Sequence, residues 1–144
     1  GHQVVSIGDQ AGREIKGKTD EKTYPLDEGI DDVNPADYDA LLIPGGYSPD
    51  KLRGDQRFTD FARHFADQQK PIFTICHGPQ LLVNADVLKG KDATAVKQVG
   101  VDVSNAGGNF IDQEVVIDDS GLITSRTPDD LPAFNRSIVQ ALEQ

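Results

Sequence analysis

The stretch Ile72-Phe73-Thr74-Ile75-Cys76-His77-Gly78-Pro79 decides the fold of this chain. Its first four residues are apolar or β-branched and predict a buried strand. Gly78 suits a sharp turn in which a side chain would crowd the neighbouring strand, and Pro79 suits the first turn of a helix. Leu81, Leu82 and Ala85 then share one helical face. The pattern predicts a strand, a tight turn that holds Cys76, and a helix.

The segments before this stretch repeat the alternation of strand and helix. The apolar run at 39–44 ends in Pro44-Gly45-Gly46 and predicts a buried parallel strand followed by a tight loop. Asp55 is a suitable N-cap for the amphipathic helix that comes next. The apolar residues of that helix fall at i, i+3, i+4 and i+7: Phe58, Phe61, Ala62 and Phe65.

The remaining segments complete an α/β pattern. Strands are predicted at 2–7, 93–96, 114–118 and 122–125, with a hairpin or bend at 119–121 and an edge strand at 23–26. Residues 13–22 are polar and predict a surface hairpin or loop. Thr127-Pro128-Asp129-Asp130 predicts the start of the last helix, with Thr127 as its cap. We therefore expect one α/β domain over residues 1–144, with a mostly parallel sheet covered on both sides.

Composition excludes several classes of function. The formal net charge of −10 disfavours binding to nucleic acid or to an anionic membrane. No apolar stretch approaches the roughly 18 to 20 residues that cross a bilayer. A single cysteine forms no internal disulfide, and no CxxC or His cluster suggests zinc. We therefore expect no metal and a reducing, cytoplasmic setting. Neither a P-loop nor a GxGxxG motif is present, so we also expect no nucleotide cofactor and no other cofactor.

Cys76 is the candidate nucleophile. Ligands bind beyond the carboxyl ends of parallel strands, and a residue in such a turn projects its side chain away from the sheet. The helix N-terminus stabilises thiolate over thiol, and its N–H groups can hold an oxyanion. His77 can serve as base or imidazolium partner, and the backbone N–H of Gly46 as a second oxyanion donor.

Three ordered blocks resemble the ThiJ/PfpI superfamily, and its PfpI-type intracellular protease and general stress protein branch in particular. They are 42–46, 75–82 and 124–131, and the resemblance covers essentially the whole chain. It implies a flavodoxin-like three-layer sandwich with a nucleophile elbow. It also implies a catalytic set of Cys76, His77 and Asp50, with Asp50 supplied by a neighbouring subunit and oxyanion donors at Gly46 and His77. A homodimer or a higher homo-oligomer follows from such a shared site.

The resemblance also implies a segment that this sequence lacks. Relatives carry a strand, a loop with a glutamate that bonds the cysteine, and a helix before the part that matches Gly1-His2. Such a first strand is central in a flavodoxin-like sheet, and its removal leaves buried backbone groups unpaired. We therefore expect that the sequence is truncated at its N-terminus, or that another chain supplies the segment.

Two classes of function stay open on the sequence. In the first, Cys76 attacks a reactive carbonyl, as in a glyoxalase or deglycase, or a peptide or amide bond, as in a peptidase. Small carbonyls are favoured because a single compact domain has no insertion that forms a peptide groove. In the second, the chain is a non-enzymatic holdase chaperone or a thiol redox sensor. A glutamine amidotransferase is excluded because no histidine follows His77.

Overall fold

The computed structural model describes residues 2–16 and 22–143, which group into two compact units divided between Asp37 and Tyr38. The expectation of a single domain over 1–144 stays a prediction. In the first unit the strands are β1 (Ile7–Gly8), β2 (Glu14–Lys16), β3 (Thr23–Pro25) and β4 (Glu28–Gly29), followed by 3₁₀ turns at Ile30–Asp32 and Pro35–Asp37.

The first unit consists of two short strand pairs. β1 runs parallel to β4, and β2 is antiparallel to β3, as a hairpin requires. The hairpin and the edge strand are therefore confirmed, although 17–21 lie outside the described residues. The strand predicted at 2–7 is wrong in extent, because only Ile7 and Gly8 have partners in β4.

The second unit begins with β5 (Leu41–Ile43), α1 (Ser48–Leu52), α2 (Gln56–Asp67), β6 (Ile72–Ile75) and α3 (Pro79–Asn84). It continues with β7 (Asp92–Ala93), a 3₁₀ turn (Lys97–Val99), α4 (Gly100–Asn105), β8 (Asn109–Phe110) and β9 (Val116–Ile117). It ends with β10 (Leu122–Ser125), a 3₁₀ turn (Pro128–Asp130) and α5 (Leu131–Leu142). Among the described residues, the main sheet has the order β5-β6-β10-β9, and β7 pairs with β8.

The main sheet is parallel except at one edge. β5, β6 and β10 are parallel neighbours, and β9 is antiparallel to β10 through the predicted hairpin. All four residues of β6 and all four of β10 are buried. Because successive side chains of a strand point to opposite faces, both faces of these strands are covered. The predicted α/β class with a mostly parallel sheet is confirmed.

Helix α5 covers one of these faces. Phe134 packs with Phe73, Ile75 and Ile123, and the partly buried Ile138 and Leu142 lie against the same cluster. Helix α2 buries the predicted apolar residues Phe58, Phe61, Ala62 and Phe65, and the Asp55 side chain caps it by accepting the Arg57 N–H. Hydrogen bonds from the Arg57 guanidinium, together with that backbone hydrogen bond and the charge of Arg57, hold the pKa of Asp55 below its ordinary value.

Three local expectations differ from the structure. β5 is not fully buried, since Leu42 is 54% exposed. The strand predicted at 93–96 is β7 at Asp92–Ala93, and the Thr94 N–H instead donates to the Thr124 hydroxyl at 2.8 Å. The side chain of Thr127 makes no cap hydrogen bond, and 128–130 form a 3₁₀ turn before α5.

Candidate active site

Cys76 occupies a strained turn between β6 and α3. Its φ is 64°, in the left-handed region that non-glycine residues seldom adopt. Strained backbone of this kind persists only where neighbouring structure fixes it. Here the Cys76 N–H donates to the Ser125 carbonyl at 3.1 Å, and the Cys76 carbonyl accepts the Val96 N–H at 3.0 Å. The predicted nucleophile elbow is therefore present. It is held by the last residue of β10, Ser125, and by Val96 in the segment after β7.

Two glycines let the backbone approach this turn closely. A Cβ on Gly78 would lie 1.9 Å from Thr74 Oγ1 and 2.9 Å from the Ile43 carbonyl oxygen. A Cβ on Gly45 would lie 2.9 Å from Cys76 Cβ. All three distances are shorter than ordinary van der Waals contact, so the turn needs glycine at each of the two positions. The crowding predicted for Gly78 is confirmed, whereas the sequence analysis assigned no role to Gly45.

The thiol and the neighbouring imidazole are in contact. Cys76 Sγ lies 3.2 Å from His77 Nδ1, and both residues are half-buried. A thiol at this distance can transfer its proton to the ring nitrogen as it becomes a nucleophile. The structure thus brings together the two residues that sequence reasoning placed at the centre of the site.

The loop after β5 lies against the thiol. The position of a Gly45 Cβ is 3.6 Å from Cys76 Sγ, and Gly46 follows with φ +84°. Within residues 2–16 and 22–143, the N–H groups of Gly46 and His77 donate to no protein acceptor. Two unpaired N–H groups beside a nucleophile are the donors that a developing oxyanion requires.

Asp50 lies on α1, four residues after Gly46. Its side chain is 69% exposed, and its Oδ1 is 3.8 Å from Arg53 Nη1. Arg53 in turn donates from Nε to Asn84 Oδ1 at 2.8 Å and so links α1 to α3. Among the described residues of one chain, no hydrogen bond or ion pair joins Asp50 to His77. The role of Asp50 across a subunit interface stays a prediction.

An ion pair between the half-buried Arg126 and the buried Asp130 lies beside the elbow, at the end of β10. Asp130 is 5% exposed and receives three hydrogen bonds from Arg126, one from its backbone N–H and two from its guanidinium. The guanidinium bonds hold the pKa of Asp130 below its ordinary value, and the same bonds raise the pKa of Arg126. The pair lies within the motif block 124–131, and no function for it was predicted from the sequence. The i, i+4 spacing of Arg126 and Asp130 was the sequence feature that could have predicted this ion pair.

The described residues offer no site for a metal ion. They contain no group of three or more His, Cys, Asp or Glu side chains arranged to hold one. Among the helices of the described residues, none has the length and apolar character to cross a membrane.

The sequence model of the DJ-1/PfpI family matches residues 1–141. The chain belongs to the DJ-1/PfpI family. The resemblance drawn from its three motif blocks is therefore confirmed, and with it the flavodoxin-like fold.

Named relatives of this DJ-1/PfpI chain are similar over nearly its whole length. It is 58% identical over 142 residues to protein/nucleic acid deglycase 2 of Escherichia coli, covering 99% of this chain and 83% of that protein. It is 51% identical over 144 residues to general stress protein 18 of Bacillus subtilis, covering all of this chain and 84% of the relative. A putative cysteine protease of the same bacterium, YraA, is 51% identical over 143 residues, 99% of this chain and 83% of that relative.

Solved structures agree on the fold. A two-domain protein of Anabaena variabilis, with DJ-1/ThiJ/PfpI-like and ferritin-like domains, superposes with a TM-score of 0.94 at 36% identity. The match covers 99% of this chain and 41% of that protein. Schizosaccharomyces pombe DJ-1 superposes with a TM-score of 0.78 at 23% identity, covering 93% of this chain and 74% of its own, and shows the fold alone.

Proposed function

We propose that this protein is a stress-associated, cysteine-dependent enzyme that acts on reactive carbonyls, with peptide or amide hydrolysis as the alternative reaction. The observation that carries the proposal is the Cys76–His77 contact of 3.2 Å in an elbow with φ 64°. The deglycase, stress-protein and cysteine-protease names of relatives at 51–58% identity support the same chemistry.

The proposed reaction begins at the thiol. His77 Nδ1 takes the proton from Cys76 Sγ, the sulfur bonds to the carbonyl carbon, and the π electrons move to the carbonyl oxygen. The N–H groups of Gly46 and His77 stabilise that oxyanion. With an amide, the tetrahedral adduct expels the amine and leaves an acyl-enzyme that water hydrolyses.

A 2-oxoaldehyde such as methylglyoxal follows a different course after the same first step. Attack at the aldehyde gives a hemithioacetal. One proton then moves from the former aldehyde carbon to the neighbouring carbonyl carbon, and the hydroxyl proton of the hemithioacetal moves to the neighbouring oxygen. The product is a thioester of a 2-hydroxy acid. Water then cleaves the thioester, releases the acid and regenerates the thiol, so the net change is addition of one water. Every step is a proton transfer, an addition to a carbonyl or the expulsion of the thiolate from a tetrahedral adduct, so the sequence of steps is redox-neutral overall.

The test compares substrates on variants of one residue. Wild type, Cys76→Ala and Cys76→Ser are assayed with methylglyoxal, with a glycated N-acetyl-arginine and with a fluorogenic peptide. We expect turnover of a carbonyl substrate that both variants lose. Because Cys76 is the only cysteine, any alkylation or oxidation reports this site alone. Stable oxidation by mild peroxide without turnover of any substrate would instead favour the redox-sensor function.

His77 is tested beside a matched histidine. His77→Gln removes the proton acceptor and should lower kcat by about 10²- to 10⁴-fold. His2→Gln changes an exposed histidine to which the proposed reaction gives no role, and it should leave kcat unchanged. Equal activity of the two variants would exclude His77 as the base.

We further propose that Asp50 of a second subunit completes the site, which makes the protein at least a homodimer. This proposal is supported by the exposure of the Asp50 carboxylate, which is 69% exposed on α1, the helix that follows the Gly45-Gly46 loop. Cys76→Ala and Asp50→Ala are each expected to be inactive. Subunit exchange between them restores one of the two sites in each mixed dimer, so about a quarter of wild-type activity should return. No recovery in mixtures shown by native mass spectrometry to have exchanged would refute the shared site.

A further inference from the structure

One peptide group connects the nucleophile to the Arg126–Asp130 ion pair at the end of β10. The carbonyl of Ser125 accepts the Cys76 N–H at 3.1 Å. The N–H of Arg126, which belongs to the same peptide group, donates to Asp130 Oδ2 at 3.0 Å. A peptide group is planar and rigid, so the carboxylate on one side fixes the direction of the carbonyl on the other.

Asp130 is well held to serve as this anchor. Arg126 Nε and Nη2 donate to the two carboxylate oxygens at 2.9 and 3.0 Å in a bidentate arrangement. The Asp130 N–H donates to the Thr127 carbonyl at 2.9 Å and closes the turn before α5. The remaining guanidinium nitrogen, Nη1, donates to Asp112, whose side chain is 75% exposed. The charges of the pair therefore compensate each other, and Asp130 adds little net charge beside the thiol.

We propose that Asp130 is a positioning residue for the nucleophile, acting through Arg126 and the Ser125–Arg126 peptide group on the Cys76 amide. The proposal rests on the proposed function only in taking Cys76 as the attacking group. The residue at the elbow is in a strained conformation, and its N–H has one acceptor, the Ser125 carbonyl. A carboxylate that accepts the N–H of a peptide group polarises that group and makes its carbonyl a stronger acceptor.

Loss of this link changes the direction of Sγ more than it changes substrate binding. The Cys76 φ is free to relax when its amide is less firmly held, and the sulfur moves away from the line of attack. Small displacements of a reacting atom reduce rate steeply, so kcat should fall about tenfold or more while KM changes little. A merely structural role predicts a different result: lower stability with unchanged kcat in the folded fraction.

The experiment uses Asp130→Asn, which keeps the shape of the side chain and removes its charge. Asp129→Asn, at the exposed neighbouring position, is the matched control. Three quantities are measured on folded protein: kcat and KM with methylglyoxal, the rate of Cys76 alkylation by iodoacetamide, and the hydrogen exchange of the Cys76 amide by NMR. We expect Asp130→Asn to lower kcat and to alter the alkylation rate. We also expect the Cys76 amide to exchange several-fold faster, while amides within β6 exchange as in wild type.

Unchanged kcat and unchanged exchange of the Cys76 amide in a folded Asp130→Asn variant would overturn the proposal. If that variant does not fold, Arg126→Lys replaces it, because lysine keeps the positive charge and loses the bidentate geometry. The same three changes are then expected, and their absence again overturns the proposal. Alkylation and amide exchange need no turnover, so the outcome stays distinct from that for the proposed function, which fails if Cys76→Ala retains wild-type rates.

Discussion

Replacing Gly78 by alanine tests whether close packing builds the elbow. The φ of Gly78 is −51°, which alanine adopts without strain, so the substitution adds only a methyl group. That methyl group would lie 1.9 Å from Thr74 Oγ1, 2.9 Å from the Ile43 carbonyl oxygen and 3.0 Å from the Ile75 carbonyl oxygen. The first neighbour is a short side chain, and the other two are backbone atoms of β5 and β6.

The cost has two parts that the structure separates. Forcing a methyl group into filled space costs about 1–3 kcal/mol. Moving the Thr74 hydroxyl also breaks its hydrogen bond to the Ile43 carbonyl, which measures 3.1 Å and contributes about 0.5–1.5 kcal/mol. The free energy of unfolding should therefore fall by about 2–4 kcal/mol, a large part of the roughly 5–15 kcal/mol of a typical domain.

Urea denaturation measures this loss, with Gly54→Ala as the matched control. A methyl group on Gly54 would have its nearest neighbour, the Lys51 carbonyl oxygen, at 3.8 Å, so the control should change stability by less than about 0.5 kcal/mol. Adding Thr74→Ala to Gly78→Ala removes the shortest contact and leaves the two backbone contacts. The two substitutions together should therefore cost less than the sum of their separate effects. Equal stability of Gly78→Ala and Gly54→Ala, or strict additivity with Thr74→Ala, would refute the packing argument.

Three further predictions concern the core residue Phe65, the Arg126–Asp130 ion pair and Gly46 in the loop after β5. Phe65 is fully buried, so Phe65→Ala should lower the free energy of unfolding by about 3–5 kcal/mol in urea, and a loss below about 1 kcal/mol would contradict its place in the core. Because Arg126 lowers the pKa of Asp130 from 3.8, the folded state binds fewer protons there than the unfolded state. The stability advantage of wild type over Asp130→Asn should be complete above pH 3.8 and should shrink as the pH falls through the lowered pKa of Asp130. A stability advantage that persists in strong acid would disprove this linkage. Gly46 has φ +84° and open space at its Cβ position, so Gly46→Ala should lower the free energy of unfolding by about 1–2 kcal/mol through backbone strain alone, and an alanine variant as stable as wild type in urea would contradict the left-handed φ.

The elements that could be predicted from sequence are those with a local cause. β6, the turn at Cys76 and α3 follow from an apolar run, a glycine and a proline within eight residues. Helix α2 follows from its apolar periodicity and from the Asp55 cap, which the structure confirms. The hydrophobic pattern wrongly predicted that β5 is fully buried. Among the described residues of its unit, β5 has one neighbouring strand, β6, and Leu42 remains exposed.

The parts of the site that sequence reasoning missed depend on contacts between distant segments. The Cys76 amide is held by a carbonyl 49 positions further along the chain (125 − 76), and the Cys76 carbonyl by the N–H of Val96. No local pattern marks either partner, since backbone groups are the same in every residue. Thr127 looked like a helix cap because of its position, yet a bidentate ion pair between Arg126 and Asp130 organises that turn. Sequence therefore predicted which side chains are candidates for the reaction, and the structure was needed to show what holds them.

The strain at Cys76 gives a prediction that separates reactivity from stability. A left-handed φ costs a residue with a Cβ about 1–2 kcal/mol, and glycine is free of that cost. Cys76→Gly and Cys76→Ala both abolish the thiol of a residue that packs against the cluster of Phe73, Ile75, Ile123 and Phe134. They differ in the Cβ atom and in the cost of the left-handed backbone. Relief of strain favours glycine by about 1–2 kcal/mol and the chain entropy of unfolded glycine opposes it by about 0.5–1 kcal/mol, so we expect Cys76→Gly to exceed Cys76→Ala by about 0.5–1 kcal/mol in free energy of unfolding. Urea denaturation of the two variants decides the matter. Without strain, alanine would be the more stable of the two by about 0.5–1 kcal/mol through its smaller loss of chain entropy, so an alanine variant that exceeds the glycine variant by this amount would mean that the elbow imposes no strain on Cys76.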